Sequence, residues 1–188
     1  MLKRLILTLT VLLMLPISAA RADEYTDTIK LFENAGESGS LLHNAYGYAV
    51  FPKIGKGGVG IGGAHGKGRV YEKGKHIGDT SMTQVTVGLQ LGGQVYSELI
   101  VFKDQRALKE FTNGNFEFGA DANAIAITAA AGAQAGTTGG TSTNVSGGKK
   151  DAKTTGAYRK GMAVFTVAKG GLMYEASVGG QKFSYKPR

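Results

Sequence analysis

Thr83-Gln84-Val85-Thr86-Val87-Gly88-Leu89-Gln90-Leu91-Gly92 sets Val85, Val87, Leu89 and Leu91 at every second position, with Gln84, Thr86, Gly88 and Gln90 between them. Such a period of two specifies a β-strand whose two faces differ. Val95 to Phe102 follows after Gly92-Gly93-Gln94, a spacing that predicts a hairpin and hence an antiparallel sheet.

Upstream lies Gly57-Gly58-Val59-Gly60-Ile61-Gly62-Gly63. Gly58, Gly60 and Gly62 fall on one strand face opposite Val59 and Ile61, which leaves that face bare for close packing or sharp curvature. Gly88 and Gly92 repeat the device, and together they predict a strongly coiled or barrel-like sheet. The same run carries the spacing of a dinucleotide fingerprint at Gly58, Gly60 and Gly63. That fingerprint needs a helix immediately after it, whereas Ala64-His65-Gly66-Lys67-Gly68-Arg69-Val70-Tyr71 continues as glycine-punctuated strand.

Before the sheet, Tyr25, Ile29 and Phe32 share a helical face whose apolar side is expected to cover the strands, and Ser40 to Ala45 predicts a second helical turn. After it, Asp104 is placed to cap a helix in which Leu108 and Phe111 share a face, with Gly114 beyond its end. Phe116 to Ala135 reads as strand, although its alanine content also suits a helix. Residues 137–153, rich in Gly, Ser, Thr, Asn and Lys, predict a flexible loop. Three further strands are expected at Met162 to Ala168, Gly171 to Val178 and Lys182 to Tyr185. The fold class is α+β, mostly antiparallel, with a few short helices.

The first 22 residues, with Lys3 and Arg4 ahead of an apolar run and Ala20-Arg21-Ala22 at its end, read as a signal peptide. Residues 23–188 are then a single exported domain, periplasmic or secreted and peripheral to a membrane. The leader holds three of the 22 basic residues and none of the 14 acidic ones, so its removal takes the net charge from +8 to +5. The chain has no cysteine, which excludes disulfides, thiolate metal sites and a cysteine nucleophile.

Catalytic and metal patterns are missing from the sequence. His43, His65 and His76 are too far apart for a local metal pair, and Asp121-Ala122-Asn123 lacks the remainder of a calcium loop. No serine sits in a nucleophile elbow. Glu98, Glu117 and Asp121 lie in strand-like runs and would meet only by accident of folding. Charge is more telling: Lys53, Lys56, Lys67, Arg69, Lys73 and Lys75 cluster around the glycine run against only Glu72 and Asp79. Glycine-rich backbone beside lysines suits a phosphate-bearing head group, and Tyr46, Tyr48, Phe51 and Tyr71 suit a membrane interface.

Five stretches in order cover nearly all of residues 23–188: Ala49-Val50-Phe51-Pro52, Gly57 to Gly63, Gly88-Leu89-Gln90-Leu91-Gly92 with Leu99-Ile100-Val101-Phe102, Phe118-Gly119-Ala120-Asp121, and Lys169-Gly170-Gly171-Leu172. In this order and spacing the chain resembles the SYLF domain family. The resemblance implies a non-enzymatic lipid-binding domain, which in eukaryotic members binds phosphoinositides and accompanies actin-patch and trafficking proteins. The expectation is therefore a module that binds anionic phospholipid through Lys53, Lys56, Lys67 and Arg69, with Phe51 and Tyr71 inserting. No cofactor and no nucleic acid are expected. The alternatives are an integral outer-membrane β-barrel, for which only Thr83 to Gly92 reads as long enough, and a nucleotide-binding enzyme using Gly58 to Gly63.

Overall fold

The computed structural model describes residues 18–118, 127–129, 158 and 160–188. Their elements are α1 (Ser18–Glu33), α2 (Glu37–His43), β1 (Gly47–Glu72), β2 (Lys75–Phe102), α3 (Gln105–Phe111), β3 (Phe116–Phe118), β4 (Ile127–Ala129) and β5 (Met162–Pro187). The expected strand from Phe116 to Ala135 is described only at β3 and β4. The expected loop at 137–153 and residues 1–17 of the expected leader lie outside the described residues, while α1 runs through the cleavage point expected after Ala22.

One sheet in the order β1-β2-β5-β3 dominates, antiparallel throughout except for β4, which pairs parallel with β5. The α+β class is as the alternation implies. Among the described residues the outer strands β1 and β3 do not pair with each other, so the sheet is open.

The strands are far longer than the sequence suggests, at 26, 28 and 26 residues for β1, β2 and β5. Thr83 to Gly92 and Val95 to Phe102 are one strand, not a hairpin, and the three expected C-terminal strands are likewise one. The glycines that read as breaks do not break the ladder, because β2 is hydrogen-bonded on both sides and its neighbours hold it in register. Irregularity is absorbed as shifts at Phe51/Ile54, Val59/Ile61, Val70/Tyr71 and Val95/Tyr96. The true hairpin joins β1 to β2 through Lys73 and Gly74, whose φ angles of 47° and 80° give the two-residue turn that matches strand twist.

Strand β1 is bent back on itself. A β-carbon on Gly66 would lie 2.5 Å from Ile54 Cγ1 and 3.0 Å from the Lys53 carbonyl oxygen, and one on Gly68 would lie 2.6 Å from the Phe51 ring. Only side-chain-free residues permit that approach. The first limb of β1, residues 47–54, therefore lies against its return limb, residues 64–72. A hydrogen bond from Lys73 N to Tyr46 O, 3.0 Å, ties the two ends together.

Two cores result. Phe51, Ile54, Met82, Ile100, Phe102 and Phe183 fill the first, joined by Leu108 and Phe111 of α3. Asp104 caps α3 as expected, its carboxylate accepting from Ala107 N at 2.9 Å. On the other side of the first limb, Val50, Leu99, Val101 and Phe165 pack beneath Phe32 of α1 and Leu42 of α2. The apolar side of α1 thus covers the sheet. No described helix is long and apolar enough to cross a membrane.

Candidate functional site

The bend itself is where the sheet turns inside out. Gly60 adopts φ +69°, and a β-carbon on Gly58 would collide with Gly62 Cα and Ile61 O; the glycine run is the crease. Beyond it Val59, Ile61, Val85, Val87 and Leu91 are 58–76% exposed. They are neighbours across the ladder, with Val59 opposite Leu91 and Ile61 opposite Val87. Meanwhile Met82, Gln84 and Thr86, which alternate with the valines, are buried. Valines outside and Gln and Thr inside invert the usual arrangement, and each exposed side chain forgoes on the order of 1 kcal/mol of burial.

Behind this apolar tip, the outer face of the return limb is cationic. Cross-strand partners share a face, so each ladder row can be read directly. Thr83 lies between His65 and Lys182, Ser81 between Lys67 and Ser184, and Asp79 between Arg69 and Lys186. Side chains confirm the shared face: His65 Nδ1 sits 3.3 Å from Thr83 Oγ1, and the Ser81 and Ser184 hydroxyls meet at 2.7 Å. His65, Lys67, Lys182 and Lys186 are exposed; the acids in these rows are Asp79 and Glu117 of β3, which lies opposite Lys182.

The residues singled out from sequence separate into three groups. Lys53 and Lys67 are exposed and Lys56 is half-buried; Lys53 stands on the first limb, Lys56 between it and the crease, and Lys67 on the return limb. Arg69 is partly withdrawn, its guanidinium 4.1 Å above the Tyr25 ring and its position opposite Asp79. Phe51 and Tyr71 are packing residues. Phe51 is fully buried, 5.7 Å from the Phe183 ring centroid, so its expected insertion is corrected: the ring closes the crossing of the two limbs. Tyr71 is half-buried and stacked on Tyr48 at 4.9 Å. Sequence reasoning missed the apolar tip and Lys182. The alternation at 83–92 was visible, but a period reveals which residues share a face and not which face meets water.

Glu98 is the other unforeseen group. It is buried near the C-terminal end of β2, its Oε2 accepting from Gln181 Nε2 at 3.0 Å while Oε1 has no partner. Burial raises its pKa from 4.5 to about 7, against a smaller lowering by the Gln181 hydrogen bond. Glu117 is exposed on β3, so it does not pair with Glu98, and Asp121 is outside the described residues.

Nothing in the described residues assembles a catalytic or metal centre. No group of three His, Cys, Asp or Glu side chains converges. One shallow groove is lined by Lys75, His76, Ile77 and Arg188, and another by residues including Glu33, His43 and Lys73; neither contains a serine or threonine nucleophile. The glycine run lies wholly within β1, so the helix that a dinucleotide fingerprint needs directly after it is replaced by strand.

Residues 83–187 match the family described as Ysc84, Las17-binding protein actin regulator. The chain is also 27% identical, over 162 residues, to Beta cell expansion factor A of Aeromonas veronii. That alignment covers 84% of this chain and 52% of the relative, so the chain spans about half the relative's length. The match takes in β2 from Thr83 onward and β5, which carry Val85, Val87 and Leu91 of the tip and Lys182 and Lys186 of the cationic rows. The chain belongs to the Ysc84 family, the SYLF family that its motif order resembles.

Proposed function

We propose that the protein is a non-enzymatic module that docks on anionic, phosphate-bearing membranes, with lysines on both limbs of the bent sheet meeting the head groups. One observation carries this reading: successive ladder rows behind the apolar tip bear Lys182, Lys67 and Lys186 on a single outer face. Each basic residue near an anionic bilayer contributes roughly 1 kcal/mol, so only such a cluster suffices. Lys53 and Lys56 extend the band on the other side of the crease. Export through residues 1–22 fits the same reading, since it delivers the module to a membrane surface outside the cytosol.

Co-sedimentation with vesicles tests it. The protein is expected to pellet with phosphatidylglycerol-containing vesicles at low salt, to remain soluble with neutral ones, and to be released by high salt. Charge reversal of Lys53, Lys56, Lys67 and Lys182 is expected to weaken binding by an order of magnitude or more with the fold intact. Equal binding to neutral and anionic vesicles would overturn the head-group reading. The family's description names a protein target for its members; binding to such a target without any vesicle association would favour that reading instead.

A further inference from the structure

We propose that the tip does not rest on the head groups but enters the hydrocarbon beneath them, with Val59, Ile61, Val85, Val87 and Leu91 as the inserted side chains. This rests on the membrane-docking reading and adds the depth and orientation of contact.

The geometry supplies both. At about 3.3 Å per residue, Val85 lies roughly 7 Å and Val87 roughly 13 Å beyond the row formed by His65, Thr83 and Lys182. With that row at the phosphates, the apolar side chains reach no further than one leaflet, about half of the 30 Å hydrocarbon thickness. The inverted face is what insertion requires, because Met82, Gln84 and Thr86 stay sealed between the limbs while the valines meet lipid. The chain before the crease contributes in parallel, since Val59 and Leu91 sit across the crease from Ile61 and Val87.

The same structure limits the depth. At the crease β1 has β2 on one edge and no described strand on the other. An open edge carries backbone groups that hydrocarbon cannot satisfy, so the tip dips into one leaflet and does not span. A second copy of this chain is the rival occupant of the apolar surface. Charge decides against it: a face-to-face pair would bring together two sets of rows that are each net positive, Lys67, Arg69, Lys182 and Lys186 against Asp79 and Glu117, whereas an anionic bilayer is complementary to them.

The chain has no cysteine, so single introduced cysteines can carry an environment-sensitive fluorophore. Ile61→Cys, Val87→Cys and Leu91→Cys are the probes, with Lys109→Cys on α3 as the distant control. Mixed phosphatidylglycerol–phosphatidylcholine vesicles carry nitroxide quenchers either at the head group or along the acyl chain. On vesicle addition the three tip labels are expected to shift to the blue and to be quenched more by acyl-chain than by head-group nitroxide, while the Lys109→Cys label does neither. Vesicle pelleting with tip labels quenched only from the head group would overturn insertion and leave docking standing. No pelleting of the unlabelled protein would overturn docking itself. Tip labels already blue-shifted without vesicles, together with a dimer by sedimentation velocity, would assign the surface to a second copy. As an unlabelled check, Ile61→Ser/Val87→Ser is expected to weaken vesicle binding at least tenfold with an unchanged melting temperature.

Discussion

The base of the sheet and its tip are made from the same strands and bury opposite things. Around residues 47–54 and 96–102, side chains are apolar to both sides: Phe51 and Ile100 enter one core, Val50 and Leu99 the other. At the tip Val59, Ile61, Val85, Val87 and Leu91 face outward and Gln84 and Thr86 inward. What differs is cover. Helices α1 and α2 lie over the outer face of the base, and no described element lies over the tip. Alternation fixes which residues travel together; the neighbouring layer fixes which set is hidden.

The largest expected contrast comes from truncating one apolar side chain in each region. Phe51→Ala should lower the unfolding free energy by about 3–5 kcal/mol, as removal of a fully buried phenylalanine does. It also unseats the contact with Gly68 that holds the limbs together. Val87→Ala should change it by less than about 0.5 kcal/mol. Urea denaturation measures both, and losses of equal size would erase the distinction between base and tip.

Glu98 sharpens the comparison, because it sits where the apolar interior of the base gives way to the Gln84, Thr86 and Gln181 interior of the tip. Its folded-state pKa is raised from 4.5 to about 7, so between those values the folded chain keeps a proton that the unfolded chain gives up. Stability contributed by this group is therefore full below pH 4.5, falls as pH rises, and levels off above pH 7. The total is about 3 kcal/mol. Glu98→Gln removes the titration. The difference in unfolding free energy between wild type and variant should thus move by that amount across the interval, and a difference independent of pH would refute the buried, raised carboxyl.

How much of this was legible in the sequence follows from the same physics. Local signals were read correctly where the cause is local: Asp104 as a cap, Tyr25, Ile29 and Phe32 as one helix face, Thr83 to Gly92 as a strand. Glycines misled. Gly92-Gly93 and Gly170-Gly171 resemble turns, yet hydrogen bonding to flanking strands carries the chain straight through them, and that support comes from residues distant in sequence. Phe51 read as an interfacial ring because a β-strand pattern does not disclose what packs on it. Lys67 drew notice because it stands next to the glycine run in sequence, while Lys182 escaped it because only the register with Thr83 brings it into the row of His65. The family, by contrast, was legible from motif order alone, since it needs no knowledge of which face is outside.

The crease that divides the regions gives a smaller effect. Gly60 has φ +69° and open space around its missing side chain, so Gly60→Ala costs backbone strain without a clash, about 1–2 kcal/mol. The loss should appear as a lowered melting temperature. A variant as stable as wild type would mean that the crease relaxes to ordinary strand geometry, and the tip would then lose the turn that separates it from the base.

The smallest effect on the fold tests the comparison most directly. Val85→Thr/Val87→Thr keeps side-chain shape and β-branching while replacing methyl groups with hydroxyls, which at the base would bury unpaired polar groups and cost 1–3 kcal/mol each. At the tip the hydroxyls meet water, so thermal unfolding should stay within about 0.5 kcal/mol of wild type. A marked loss of stability would show that another part of the chain covers these valines. An unchanged fold means that stability does not require them to be apolar, and it leaves contact with something outside the chain as the physical reason for five such side chains at one bend.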